Sequence, residues 1–382
     1  MRGLTAVALA EIADVRPQTI SEYEAERSSP SPRVLKAIGT ALNLPEHFFL
    51  RAERPGMERR VFFRSMSSAT KAARSRARAR SSWLSDIVSY VQDYVELPKL
   101  NFPDLALPSD PLLLADEDIE RAAEDVRSFW NMRDGPIANT VLLLENQGAV
   151  VARDALGAES LDGLSELAAA DQRPHILVGT DKGTPVRWRF DVAHELGHIL
   201  LHSTLPPESL LRPEQFKTIE QQAHRFASAF LLPMASFGED LFAVNLDVLR
   251  TLKQKWKVSI GMMIRRALHA GLISEDSERA LWINYGRRGW RRSEPLDTEM
   301  DAEQPRLLRR SFELLLTEGA QTPDDIVSSV ALPPGDIESL SGLPTGYLTT
   351  FARVSLRHGS EARGTAPKET SLIHFPTAPL AN

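Results

Sequence analysis

Five consecutive residues, His194-Glu195-Leu196-Gly197-His198, restrict what this chain can fold into more than any other stretch. On an α-helix, positions i and i+4 share one face about 6 Å apart, so the two imidazoles reach a common point. Asp191 stands ahead of them as a candidate N-cap, and Ile199-Leu200-Leu201 continues an apolar face. Two histidines and a glutamate among apolar neighbours need a partner for their polar atoms, and a cation supplies one. The spacing predicts a helix that carries a metal, with His194 and His198 as ligands and Glu195 beside the ion as a base.

This is the H-E-x-x-H arrangement of zinc peptidases. A catalytic zinc takes three protein ligands and keeps one position for water. The longer pattern with a third histidine is not met, because Leu201 and Thr204 occupy its glycine and histidine positions. His202 lies about 12 Å along the helix axis from His194, too far to share the ion, and is expected to support or pack. The next helical stretch offers a better donor. Ala223 and Ala227 allow it to pack closely on the first helix, and Glu220 faces the same way. Glu220 is the expected third ligand, with His224 one turn later as the alternative. As an electrophile assisting the reaction, His175 and Tyr285 are the candidates.

The rest of the chain divides by composition. A hydrophobic share of 42% with 25% charged residues excludes wholesale disorder and fibrous classes. The sequence has no cysteine, so disulfide staples, thiolate ligands and a cysteine nucleophile are excluded. No stretch is apolar for long enough to span a membrane. The apolar run Leu4–Ala10 meets Glu11 and Asp14 at once, unlike a signal peptide. A cytoplasmic protein is therefore expected. The net charge of −6 is uneven: residues 1–80 carry +7 and the remainder −13. A basic head on an acidic body points to a polyanion partner for the head.

Residues 4–50 read as a compact helical unit, with Pro17 opening its second helix and Pro45 ending it. The alternating Arg74, Arg76, Arg78 and Arg80 lead into Trp83, Leu84, Ile87, Val88, Val91 and Val95, the pattern of one amphipathic helix of about 30 residues. The segment Arg59 to Arg80 either adds phosphate contacts or is a solvated helix face. Residues 148–152 and 175–179 read as strands. Helical patterns follow at 190–202, 218–232, 246–256, 259–270, 304–318 and 323–330.

Two resemblances follow from these residues. His194–His198, together with Glu220-x-x-Ala223-x-x-Phe226-Ala227-x-x-x-Leu231-Leu232-Pro233, resembles the ImmA/IrrE family of bacterial metallopeptidases over roughly residues 115–275. The resemblance implies Zn²⁺ on His194, His198 and Glu220, with Glu195 as the catalytic base. It also implies that the strand His175–Gly179 is the sheet edge along which an extended substrate lies. Family members often carry an acidic residue where this chain has Gln222. Leu4-Thr5, Leu9-Ala10, Ala13, Val15, Thr19-Ile20-Ser21 and Tyr23-Glu24 resemble the Cro/C1-type helix-turn-helix family. That places Arg16, Gln18, Thr19, Ser21 and Glu22 toward double-stranded DNA. Domains of that family open with a further helix, which would lie before Met1; either the start is upstream or the domain is shortened. Leu249–Ile273 also has a helix-turn-helix look and is read as packing.

The expected fold is α+β and predominantly helical. A helix-turn-helix domain (1–52) is followed by a basic linker with a long helix (53–110). A zincin-like metallopeptidase domain with a small sheet (111–275) precedes a helical C-terminal extension (276–358) and a disordered tail (359–382). The expected function is a DNA-binding zinc endopeptidase that regulates transcription by cutting a repressor or antitoxin. The alternative is a repressor or antitoxin whose peptidase fold recognises a partner or ligand without proteolysis. A homodimer is left open.

Overall fold

The computed structural model describes residues 3–51, 61–63, 70–350 and 372–374. The head contains α1 (Ala6–Ile12), α2 (Pro17–Glu24) and α3 (Pro32–Leu42). The Thr5 and Ser31 side chains accept backbone N–H groups at the starts of α1 and α3, and Asn43 ends α3 in the left-handed conformation. Ala10, Ala13, Ile20, Val34 and Ile38 form its small core. The head is tied to the body where Arg51 donates to Asp86 at 2.7 Å and the Phe48 ring meets Trp83 edge-on.

The body runs β1 (Val61–Phe63), α4 (Lys71–Gln92), β2 (Val95–Glu96), α5 (Asp116–Phe129), α6 (Thr140–Asn146), β3 (Val150–Asp154), β4 (Gly163–Leu167) and β5 (Pro174–Gly179). It continues through α7 (Pro185–His202), α8 (Pro213–Leu231), α9 (Met234–Asp240), α10 (Leu246–Trp256), α11 (Ile260–His269) and α12 (Glu275–Arg287). Last come α13 (Leu307–Thr317), α14 (Pro323–Val330), α15 (Pro334–Ser341) and β6 (Ile373–His374). The main sheet has the order β1-β4-β5-β3; β3 is parallel to β5, and β4 is antiparallel to both β5 and β1. A separate two-stranded pair joins β2 and β6. Among the described residues no helix is long and apolar enough to cross a membrane.

Alternation along the strands splits the body into two cores. Val151, Ile176 and Val178 join the core built with α5, α6, α7, α8, α10 and α11. Val150, Ala152, Leu164 and Leu177 join the core built with α4 and α13 to α15. The sheet is thus covered on both faces.

Four expectations are corrected here. The strand at residues 175–179 is internal, paired on both sides, and is not an edge. The long amphipathic helix stops at Gln92, and Val95 belongs to β2. Arg80, expected among phosphate-binding or solvated residues, is largely buried and bridges Asp154 and Asp336 between α4, β3 and α15. Ile373 and His374, inside the expected disordered tail, pair with β2; the rest of that tail lies outside the described residues.

Candidate metal centre

Pro185 sits in the first turn of α7, where its missing N–H costs no hydrogen bond. Gly197 then decides how closely α8 approaches. A Cβ placed there would stand 3.3 Å from the Ala223 backbone and 3.2 Å from the Phe226 ring. With glycine facing alanine, the two helices come close enough for one carboxylate on α8 to reach two imidazoles on α7.

Glu220 Oε2 lies 3.4 Å from His194 Nε2, and Glu220 Oε1 lies 3.2 Å from His198 Nε2. The two imidazole Nε2 atoms are 3.0 Å apart. Tetrahedral ligands about 2.0–2.1 Å from a zinc ion stand about 3.3 Å from one another. The three donors match that size, and two imidazoles with one carboxylate are a chemically suitable set. His194 is fully buried, His198 is 1% exposed, and the Glu220 side chain is 17% exposed. Glu220 opens onto a cleft of about 1590 Å³ whose walls include Phe190, His224, Trp282 and Trp290.

Behind His198 runs a hydrogen-bonded chain that fixes its protonation. Gln222 donates through Nε2 to the Pro111 carbonyl at 2.9 Å, so its Oε1 accepts from His202 Nε2 at 2.9 Å. His202 is fully buried, and its pKa falls to about 3 because burial penalises the cation, reinforced by His198 and opposed by the Gln222 bond. A neutral His202 that donates at Nε2 accepts at Nδ1, 3.1 Å from His198 Nδ1. His198 therefore donates at Nδ1 and keeps a lone pair at Nε2, facing Glu220 and His194.

Glu195 is also fully buried. The Ser165 hydroxyl on β4 donates to its Oε2 at 2.6 Å, and the backbone at Gly163 lies so close that a Cβ there would meet Oε1 at 3.3 Å. Neither Ser165 nor Gly163 was identified from the sequence; only the pairing of β4 places them here.

The other expected residues fall as follows. The His224 ring stands edge-on 4.5 Å from the His194 ring and faces the cleft, apart from the three-donor set. His175 is on the wrong face of the sheet to act as an electrophile: it pairs in register with Glu166, and both meet Ser85 of α4. Tyr285 lines the cleft, with its hydroxyl donating to Glu294 at 2.9 Å. Glu294 in turn neutralises the fully buried Lys253 together with Asp297, and this cluster anchors the cleft wall. In the head, Arg16, Gln18 and Ser21 are exposed, while Thr19 and Glu22 are half-buried. Gln18 and Glu22 are hydrogen-bonded along α2.

Residues 144–268 match the IrrE N-terminal-like domain, the Peptidase_M78 family. Residues 1–49 match the helix-turn-helix family HTH_3. Comparison with curated proteins gives no match. Among solved structures, a Mycobacterium tuberculosis transcriptional regulator is similar at 21% identity, over 39% of this chain and 46% of that one, with a TM-score of 0.29.

Proposed function

We propose that this chain, which carries an IrrE N-terminal-like domain behind a helix-turn-helix head, is a DNA-binding regulator whose body is a zinc-dependent endopeptidase. Its substrate in this reading is a repressor or antitoxin protein, and its head brings the body to double-stranded DNA.

One observation carries the proteolytic reading: Glu195, next in the chain to His194, is fully buried and gripped by Ser165, on the helix whose His194 and His198 are spaced with Glu220 for one ion. A metal held only for stability has no use for a fourth, oriented carboxylate. His194, His198 and Glu220 would hold Zn²⁺, which supplies a Lewis acid for the scissile carbonyl and acidifies water. Glu195 takes a proton from the attacking water and delivers it to the departing amine. Ser165 fixes the direction in which that carboxylate points. The apolar packing of α7 on the sheet keeps competing solvent away from it.

The second reading, a regulator that recognises a partner without cutting it, rests on the near-complete burial of His194, Glu195 and His198. The test is zinc content in the purified protein, followed by comparison of the native chain with Glu195→Gln. Cleavage of products of neighbouring genes by the native chain alone supports the peptidase. Full regulation in vivo by Glu195→Gln selects the second reading.

A further inference from the structure

A strand at the edge of a sheet leaves alternate N–H and C=O groups ready to pair with another segment. In this body the strand beside the proposed base is β4, whose Ser165 holds Glu195. One side of β4 is paired with β5, which leaves the other side for a further strand. That edge is taken by β1, with Val61 opposite Glu166, Phe62 opposite Ser165 and Phe63 opposite Leu164.

β1 lies outside the segment that matches the family. The IrrE-like match spans residues 144–268 and contains β3, β4 and β5, whereas β1 comes from the segment between the head and α4. It runs antiparallel to β4, and its middle residue stands opposite the serine that orients Glu195. On α7, behind β4, His194 and Glu195 are fully buried, and Glu220 is the donor that opens on the cleft.

We propose that Val61-Phe62-Phe63 occupies the substrate edge of β4 in cis, and that the ligand this edge accepts is an extended peptide segment that pairs through its backbone as β1 does. The inference rests on the peptidase reading above for the word substrate, but the strand exchange itself does not. While β1 is seated, a protein substrate must displace it.

The test uses the full chain carrying Val61→Gly, Phe62→Ser and Phe63→Gly together, with Phe62→Pro as a second variant in case the triple change impairs folding. Hydrogen exchange reads the edge directly. Alternate amides of Gly163–Leu167 are expected to exchange at least about tenfold faster in either variant than in the native chain. A synthetic peptide carrying Val-Phe-Phe between its natural flanks, titrated on a Glu195→Gln background so that it is not consumed, is expected to bind the freed edge about tenfold more tightly. Hydrolysis of the same peptide, with Glu195 restored, is expected to rise by a similar factor. Unchanged β4 exchange together with equal peptide affinity in native and variant chains overturns the proposal. Hydrolysis by neither chain, with exchange and affinity shifted as stated, sinks the peptidase reading and leaves the cis strand standing. Equal hydrolysis by both, with exchange unchanged, does the reverse.

Discussion

The Ser165 hydroxyl reaches from β4 to α7 and donates to Glu195 Oε2 at 2.6 Å. A hydrogen bond to a charged acceptor is worth about 1.5–3 kcal/mol. Here it fixes the direction of the carboxylate. Ser165→Ala is expected to lower kcat by about tenfold with KM little changed, since the carboxylate loses the donor that orients it. Zinc content should stay at the native level, because Ser165 touches none of the three donors. An unchanged kcat would assign Ser165 to packing.

The relay from Pro111 through Gln222 and His202 to His198 makes a separate prediction. His202→Phe keeps the volume of the buried ring and removes the acceptor that holds the His198 proton on Nδ1. Loss of such a supporting partner weakens metal binding by about 10- to 100-fold. Competition with a chromogenic chelator would measure this, and Gln222→Leu should fall on the same scale with a smaller effect. Native affinity in His202→Phe would show that the ring merely fills space.

What the sequence made legible was local. The i, i+4 histidines and Glu220 depend on helix periodicity and on small residues at one crossing, both written into neighbouring positions. β4 was not legible, because Gly163-Leu164-Ser165-Glu166-Leu167 is covered on both faces and its polar Ser165 and Glu166 are satisfied by residues 30 and 81 positions away. The face taken by His175 is illegible for a related reason: a strand shows which residues alternate, but not which face will meet α7. The burial of Arg80 is not written locally, because Asp154 and Asp336, its two partners, are distant in sequence. β1 lies within a short arginine-rich stretch that has no periodicity to read.

The head provides a test independent of catalysis. Arg16 is exposed at the start of α2, whose Ile20 is buried in the head core. If α2 lies in a major groove, Arg16 neutralises a phosphate or contacts a base edge. Arg16→Ala is expected to weaken DNA binding. A phosphate contact would lower the slope of log affinity against log salt by about one while weakening all sequences alike. A base contact would relax preference at one position and leave the slope nearly unchanged. Fluorescence anisotropy with duplex DNA at several salt concentrations separates these outcomes. Unaltered affinity for every duplex would remove Arg16 from the interface.

Glu145 joins the two ends of the body. At the end of α6 it is 3% exposed and accepts from the backbone N–H groups of Arg306 and Leu307, where α13 begins. Burial raises its pKa to about 7, although those two backbone bonds pull the other way. A carboxyl raised on folding contributes stability that is fully present below its unfolded pKa and is lost as pH rises through the folded value. The window is therefore about pH 4.5 to 7, and the loss across it is at most about 3 kcal/mol. Glu145→Gln keeps one acceptor oxygen and cannot ionise. At pH 5 it is expected to be slightly less stable than the native chain, because one carboxyl oxygen becomes an amide nitrogen facing N–H groups. At pH 8 the order should reverse, since the native chain then holds a buried charge. Urea midpoints at the two pH values measure the crossing, and parallel curves for the two proteins would show that Glu145 stays ionised throughout.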